Sequence, residues 1–359
     1  MTRLHYIYRN PARRSFGLIV VGLSALATLS AACSAPAARY HQRAGVQRVP
    51  AKTPLSSPDR SSIFPHATLR TERISNGRVT VLVAPSVGRV IGFGPADGAD
   101  LLWRLPDPPE PADAQTHYVN WGGDKVWPTV QMIWPRLASD GLWPPPFRSE
   151  RPGWSLKERA EYRIVLESPV DPTLGTRTHR EIALAQNASR LTIRNRIVRV
   201  HANPYPVTVW SVTQVRMPRY TLLGLADERP LPERPWIWLA ASNDSATQWI
   251  DRLGQAVRFD PPGKPSTKLG TLGPWVAGVY DQHVLVQHHR FDPSGAYPDG
   301  SSVQVYADER YAELETLSAC RYLQPGETLE HTVIWRLLDR GQQEPDDIVK
   351  RIAALTTAE

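Results

Sequence analysis

The chain has 359 residues, 41% of them apolar and 21% charged, with a formal net charge of +7. That is enough apolar residue to bury a large core, in one big β domain or two smaller ones. Arg3, Arg9, Arg13 and Arg14 lie in residues 1–32, which hold no acid, so the rest of the chain carries only +3. No Lys/Arg stripe with interleaved aromatics is present, which argues against a nucleic-acid groove.

The N-terminus comes first. Residues 1–14 are basic, residues 16–29 are an apolar run, and Ser30, Ala31 and Ala32 lead to Cys33. The run has the length of a signal peptide and is too short to span a bilayer comfortably. The segment resembles a bacterial lipoprotein signal, in which the cysteine is lipidated and becomes the new N-terminus. A serine stands three places before Cys33, where leucine is usual, and an ordinary cleaved signal stays open as the alternative. Arg13-Arg14-Ser15-Phe16 weakly resembles a twin-arginine motif. The expected location is the periplasmic side of a bacterial membrane, with the outer membrane favoured. The other cysteine is Cys320. If Cys33 carries lipid, Cys320 has no partner and is expected in a core as a small hydrophobe. Residues 34–62, rich in Ala, Pro, Ser and Arg, read as a tether.

From residue 68 the pattern is short extended segments. Residues 68–74 and 78–84 flank Asn76-Gly77, a strong hairpin signal. Residues 88–93 and 101–103 continue a sheet, and 134–152 read as a long ordered loop beside a cleft. Later strands are expected at 161–168, 176–185, 190–200, 207–216, 235–240, 249–250, 257–259, 275–280, 283–290, 302–307, 311–318 and 328–337. Only residues 345–355 read as helix. With 34 prolines, 12 tryptophans and 3 methionines, this pattern predicts an all-β protein, best as two sheets packed face to face. A small propeller also fits the strand count but should show a blade repeat, and none stands out. The expected boundaries are 1–33 for the signal, 34–62 for the tether, 63–342 for the β domain and 343–359 for the helix and tail.

The densest polar cluster is Asn120-Trp121-Gly122-Gly123-Asp124-Lys125-Val126-Trp127-Pro128. Its glycines allow a sharp bend or a close backbone approach. Asn120, Asp124 and Lys125 supply an amide, an acceptor and a cationic donor. Flat Trp121 and Trp127 beside them suit a sugar ring, with its apolar C–H faces and hydroxyl rim. The same residues also read as a structural turn with core tryptophans. No metal-ligand spacing, phosphate loop or Gly-x-Ser-x-Gly elbow occurs, so no cofactor is expected.

The last third carries a resemblance. Tyr311-Ala312-Glu313-Leu314-Glu315-Thr316-Leu317-Ser318, Leu323-Gln324-Pro325-Gly326-Glu327-Thr328 and Val333-Ile334-Trp335-Arg336-Leu337 resemble the C-terminal signature of the galactose-mutarotase-like superfamily. The Asn120 to Pro128 stretch is similar to the Gly-Gly motif of aldose 1-epimerases. With Val209-Trp210-Ser211-Val212-Thr213-Gln214 between them, they look most like the DUF4380 branch. The resemblance covers residues 68–340. It implies a large antiparallel two-sheet supersandwich, closed by a short C-terminal helix, with a sugar site on the concave face of one sheet.

Aldose epimerases pair a glutamate base with a histidine acid. By this resemblance Glu315 is the base candidate. Glu313 lies on the same strand face, about 6.5–7 Å away, and raises the pKa of Glu315 if both are buried. The segment matching the one that bears the histidine has only Gln214, and Trp121 replaces a histidine before Gly122-Gly123. These departures point to sugar binding without ordinary mutarotase chemistry. The alternatives are an active epimerase with an atypical acid, His288 or His289, and a scaffold with a vestigial site. Trp121, Trp127 and Trp210 are the expected stacking surfaces. Asn120, Gly123, Asp124, Lys125, Gln214 and Glu313 form the expected polar rim, with Tyr297 in a bordering turn. The expected ligand is a sugar or oligosaccharide. Oligomeric state is not legible.

Overall fold

Along Thr176–Leu184 every second side chain is buried, and Arg190–Arg199 repeats the pattern. This is how a strand behaves when one face meets a core and the other does not. The computed structural model describes residues 69–105, 118–137, 145–226, 233–240 and 248–356. The signal segment, Cys33 and the tether lie outside the described residues.

The strands in chain order are β1 Glu72–Ser75, β2 Val79–Ala84, β3 Arg89–Pro95, β4 Asp124–Trp127, β5 Ser155–Ala160, β6 Arg163–Glu167, β7 Thr176–Leu184, β8 Arg190–Arg199, β9 Trp210–Val215 and β10 Tyr220–Gly224. Then come β11 Ile237–Ala240, β12 Ile250–Leu253, β13 Ala256–Phe259, β14 Thr267–Thr271, β15 Trp275–Val279, β16 His283–His289, β17 Val303–Ala307, β18 Ala312–Leu317 and β19 Thr328–Asp339. A four-residue helix, α1, spans Trp134–Leu137, and α2 spans Pro345–Thr356.

The strands form two antiparallel sheets. One has nine strands in the order β1-β2-β3-β4-β9-β18-β17-β14-β11, and the other has ten, β12-β13-β10-β15-β16-β19-β8-β7-β6-β5. The molecule is therefore an all-β sandwich with a short C-terminal helix, as the sequence predicts. The core lies between the sheets. Val81, Phe93, Val305 and Leu314 face Ile193, Val276, Leu285 and Trp335 across it. Phe93 meets Trp335 edge-on at 5.3 Å. Each such side chain contributes about 1.5–3 kcal/mol by burial.

The Asn76-Gly77 hairpin forms because Gly77 takes φ +81, which costs glycine nothing. The Asn76 side-chain oxygen accepts from the N–H groups of Arg78 and Val79. Its amide donates to the Ala185 and Ala188 carbonyls in the turn after β7. One side chain thus ties a turn of each sheet to the other. Helix α2 starts at Pro345 with Asp346 and Asp347 in its first turn, a favourable start for its dipole. Its Ile348, Val349 and Ile352 pack on Val284 and Val286, outside the ten-stranded sheet.

Four strands depart from expectation, among them β5, which forms at Ser155–Ala160 just before the strand expected at 161–168. β4 forms in the Gly-Gly stretch, and β10 and β14 form where none is predicted. β14 sits in a segment punctuated by Pro265, Gly270, Gly273 and Pro274, which reads as loop, yet β17 recruits it by full antiparallel pairing. The loop expected at 134–152 contains α1. Cys320 is partly buried beside the cluster around Trp127 and Trp134. It is disulfide-bonded rather than the expected lone core thiol.

Candidate functional site

Strands β4, β9 and β18 are buried at every position, on both faces. Their core side mixes apolar residues with a paired Asp124–Arg180 network, and their other face carries charge as well. That face holds Lys125 and Trp127 from β4, Trp210 and Gln214 from β9, and Glu313 and Glu315 from β18. The register continues it to Gln304 and Tyr306 on β17 and Lys268 on β14. We call this the site face.

Two carboxylates stand in the middle with a lysine on each side. Glu315 is fully buried. Its Oε2 accepts from the Trp210 indole at 2.8 Å and pairs with Lys268 Nζ at 2.9 Å. Lys268 also lies 4.6 Å from the centre of the Trp210 ring. Glu313 accepts from the Gln214 amide at 2.9 Å and pairs with Lys125 at 3.7 Å. Lys125 in turn lies over the Trp127 ring. The Trp127 indole donates to Glu150, which Arg89 holds at 2.6 Å.

Burial shifts the titration of these groups. It pushes the Glu315 carboxyl up to about 7, against the pull of Lys268 and with the help of Glu313. It pushes Lys125 down, against the pull of Glu313. It also pushes Asp299 up, against Lys268. Asp299 holds a left-handed φ of 53, a conformation that is strained for a residue with a side chain.

Several polar atoms here lack hydrogen-bond partners. These are Glu315 Oε1, Gln214 Oε1, Gln304 Oε1, Asn120 Oδ1 and Lys125 Nζ, all buried. Buried polar atoms are normally satisfied, because each orphan costs the full desolvation penalty. Chemically the face can accept several hydroxyl protons, donate from Lys125, and hold or release a proton at Glu315 near neutral pH.

The structure brings Lys125, Gln214, Glu313 and Glu315 together. Asn120 borders them, donating to the Tyr311 hydroxyl at 3.3 Å. Other expected site residues lie elsewhere. Asp124 points between the sheets, where Ser211, Thr213 and Arg180 engage it. Gly123 is a backbone device, since at φ +67 a Cβ would sit 2.2 Å from the Val90 carbonyl oxygen. Trp127 and Trp210 are not open stacking surfaces. They meet edge-to-face at 4.9 Å, and Trp134 packs edge-on against Trp127 at 5.1 Å. Their role in this face is to donate indole N–H groups to carboxylates. Trp121 is half-buried against Ala84, Val87 and Ile91. Tyr297 is buried, stacks on Phe291 and accepts from the Asp292 N–H. It is Asp299, two residues on, that approaches Lys268.

The histidine expectation is corrected. His288 pairs in register with Trp275 and Ile334 and shares a face with Val284 and Val286, which pack under α2. That is the far side of the other sheet. His289 lies between the sheets, with Nε2 3.0 Å from the Gly273 carbonyl oxygen. Burial holds it down at about 4. Neither ring reaches Glu315.

Sequence reasoning missed Lys268, Gln304, Tyr306, Asp299, Arg89 and Glu150. One signal was available. In Val303–Ala307 a glutamine and a tyrosine alternate with apolar residues, just before the glutamate-bearing strand.

The fold matches solved structures. The Slr1438 protein from Synechocystis sp. PCC 6803 aligns at 12% identity over 80% of this chain and 99% of its own, with a TM-score of 0.50. A galactose mutarotase-like protein from Lactobacillus casei aligns at 10% identity over 75% and 100%, with a TM-score of 0.48. A galactose mutarotase related enzyme from Lactobacillus acidophilus aligns at 9% identity over 76% and 99%, also at 0.48. The likeness to the Slr1438 protein, at 12% identity, shows a shared fold alone. No family model matches the chain, and no curated protein matches it significantly, so the narrower DUF4380 resemblance is not supported.

Proposed function

We propose that the site face binds a carbohydrate, and that it does so without the glutamate–histidine pair of ordinary mutarotases. The observation that carries this reading is the set of orphaned buried atoms on that face. Four are acceptors and one is a cationic donor. Sugar hydroxyls both donate and accept, so a polyol can satisfy them all. Tyr306 and Trp121, each half-exposed, are the flat surfaces left for the C–H face of a ring.

A second reading is an active sugar epimerase, and the Glu315 carboxyl near 7 favours it. Glu315 would take the anomeric hydroxyl proton. The ring oxygen would take its proton from Lys125 or Lys268, the cations nearest the carboxylates. The C1–O5 bond breaks, C1 becomes an aldehyde, and reclosure on its other face returns both protons.

Magnetisation-exchange NMR on a pool of aldoses separates these readings. Selective broadening of one sugar without faster anomer exchange identifies a binding protein. Faster exchange that vanishes in Glu315→Gln identifies an epimerase. Neither effect supports a scaffold without sugar chemistry.

We further propose export to the bacterial envelope, on the strength of residues 1–33. A sulfur in a disulfide cannot also carry a lipid, and Cys33 is the only other cysteine in the chain. Intact mass of the exported protein decides its fate. A diacylglyceryl adduct on Cys33 supports the anchor, and a disulfide to Cys320 rules it out.

A further inference from the structure

Helix α2 covers only part of the outer face of the ten-stranded sheet, over β10, β15 and β16. No helix among the described residues covers the rest, formed by β5, β6, β7, β8 and β19. On that open half the acids are already engaged. Arg163 pairs with Glu158 and Glu181, Arg194 with Glu181 and Glu330, and Lys157 with Glu167. Arg177, Arg190 and Arg196 stand on the same face, by register with Val198, Arg336 and His179. No carboxylate among the described residues pairs with these three. Arg196 lies across from Glu330, but Arg194 already holds Glu330 at 3.2 Å. The surplus is felt locally. The His179 imidazole is pushed down by its burial and then by Arg196 and Arg177, more than Glu167 pulls it up.

We propose that this open, arginine-rich sheet face docks on an anionic lipid bilayer. Guanidinium groups match phosphate in a forked geometry. Half-buried Val165, Val198 and Ile334 lie between them, giving the mixture of cation and apolar surface that suits the interfacial zone. Along these five strands the outward positions carry no Phe, Tyr or Trp, so the face offers no stacking for nucleic-acid bases or sugar rings. Five strands make a surface about 20 Å wide, broad enough for several headgroups. The placement of the chain agrees. β1, the first strand among the described residues, is held against β5 by Arg159. That side chain pairs with Glu72 at 3.2 Å and donates to the Arg73 carbonyl at 2.9 Å. The N-terminal chain therefore joins the domain at the rim of this face.

The test uses the chain without residues 1–32, so that no leader remains to direct lipidation of Cys33 and any disulfide to Cys320 stays intact. Both sheets lie within residues 72–339. Cosedimentation is measured with vesicles containing phosphatidylglycerol and with vesicles of phosphatidylcholine alone. Binding to the former only, weakened by salt, is expected. The triple variant Arg177→Glu, Arg190→Glu, Arg196→Glu loses at least about tenfold in partition. A control of equal charge, Arg151→Glu, Arg234→Glu, Arg321→Glu, on exposed arginines elsewhere, changes by less than about twofold. Circular dichroism and the urea midpoint check both folds. If the triple variant unfolds, Arg196→Gln replaces it, with a loss of about fivefold expected. No binding to phosphatidylglycerol overturns the proposal. So does an equal loss in the control, or tighter binding to DNA or to polygalacturonate than to vesicles.

Discussion

The strands β4, β9 and β18 carry two buried polar networks, one on each face, and the two are built to opposite rules. Between the sheets, Asp124 accepts from Ser211 at 3.0 Å and Thr213 at 2.9 Å, while Arg180 takes its other oxygen. Arg180 also donates to Asn195 and to the Gly88 carbonyl. Gln287 of the opposite sheet donates to Thr213. Both oxygens of Asp124 are thus satisfied, and the network joins the sheets. On the site face, one residue away along each strand, Glu315, Gln214 and Gln304 each keep an oxygen without a partner. Burial and charge are alike in the two places. Between the sheets the Asn195 amide nitrogen is left open, whereas the site face leaves several carboxylate and amide oxygens open, so the two networks differ in unfilled acceptor capacity.

The largest effect expected from this contrast is on stability. Asp124→Ala strands Arg180 as an uncompensated buried charge, and a loss of about 3–5 kcal/mol is expected in urea unfolding. A loss under about 1 kcal/mol would break the contrast.

The pH dependence sharpens it, with opposite signs on the two faces. Glu315 titrates near 7 in the fold, above its ordinary value. Its contribution is fully present below about 4.5 and is lost as pH rises through 7, worth up to about 3 kcal/mol. The Glu315→Gln variant should flatten that alkaline limb. His289, between the sheets, is held at about 4, below its ordinary value. Its contribution is present above about 6.5 and is lost as pH falls toward 4, again worth up to about 3 kcal/mol. His289→Gln should flatten the acid limb and leave the alkaline one alone. Urea midpoints across pH 4 to 8 read both. A Glu315→Gln profile that parallels the wild type would show that Glu315 is not held neutral.

The smallest effect concerns the link between the sheets at their turns. Asn76→Ala removes the side-chain bonds to Arg78, Val79, Ala185 and Ala188. Some of these groups regain water, so a loss of about 1–2 kcal/mol is expected. A larger loss than that for Asp124→Ala would place the dominant tie between the sheets at this turn.

Much of the fold was legible because the relevant signals are local. Asn76-Gly77 specifies its own turn, and the alternation along β7 and β8 states which side is core. Pro345 and the acidic first turn of α2 announce that helix. The site was legible only in part. Lys125, Gln214, Glu313 and Glu315 stood in segments dense enough in polar groups to notice. Lys268 lies in a short strand punctuated by glycine and proline. Its meeting with Glu315 depends on the order β18-β17-β14, which nothing local encodes. Asp124 misled for a related reason. A charged residue beside a Gly-Gly pair reads as a ligand-binding group, and only the strand's two-residue period decides which sheet face it takes. Register likewise assigned His288 and His289 to faces away from Glu315.

The Trp210 indole donates to Glu315 and lies beneath the Lys268 ammonium. Indole emission responds to a hydrogen-bonded carboxylate and to a nearby cation. The protein thus carries a built-in optical indicator of its own titrating carboxyl. The difference in fluorescence between the wild type and Trp210→Phe, followed from pH 5 to 9, would trace the ionisation of Glu315 without any added dye. A ligand that takes up the spare oxygen of Glu315 would shift that curve along the pH axis, so recognition becomes visible as a colour change in a single residue.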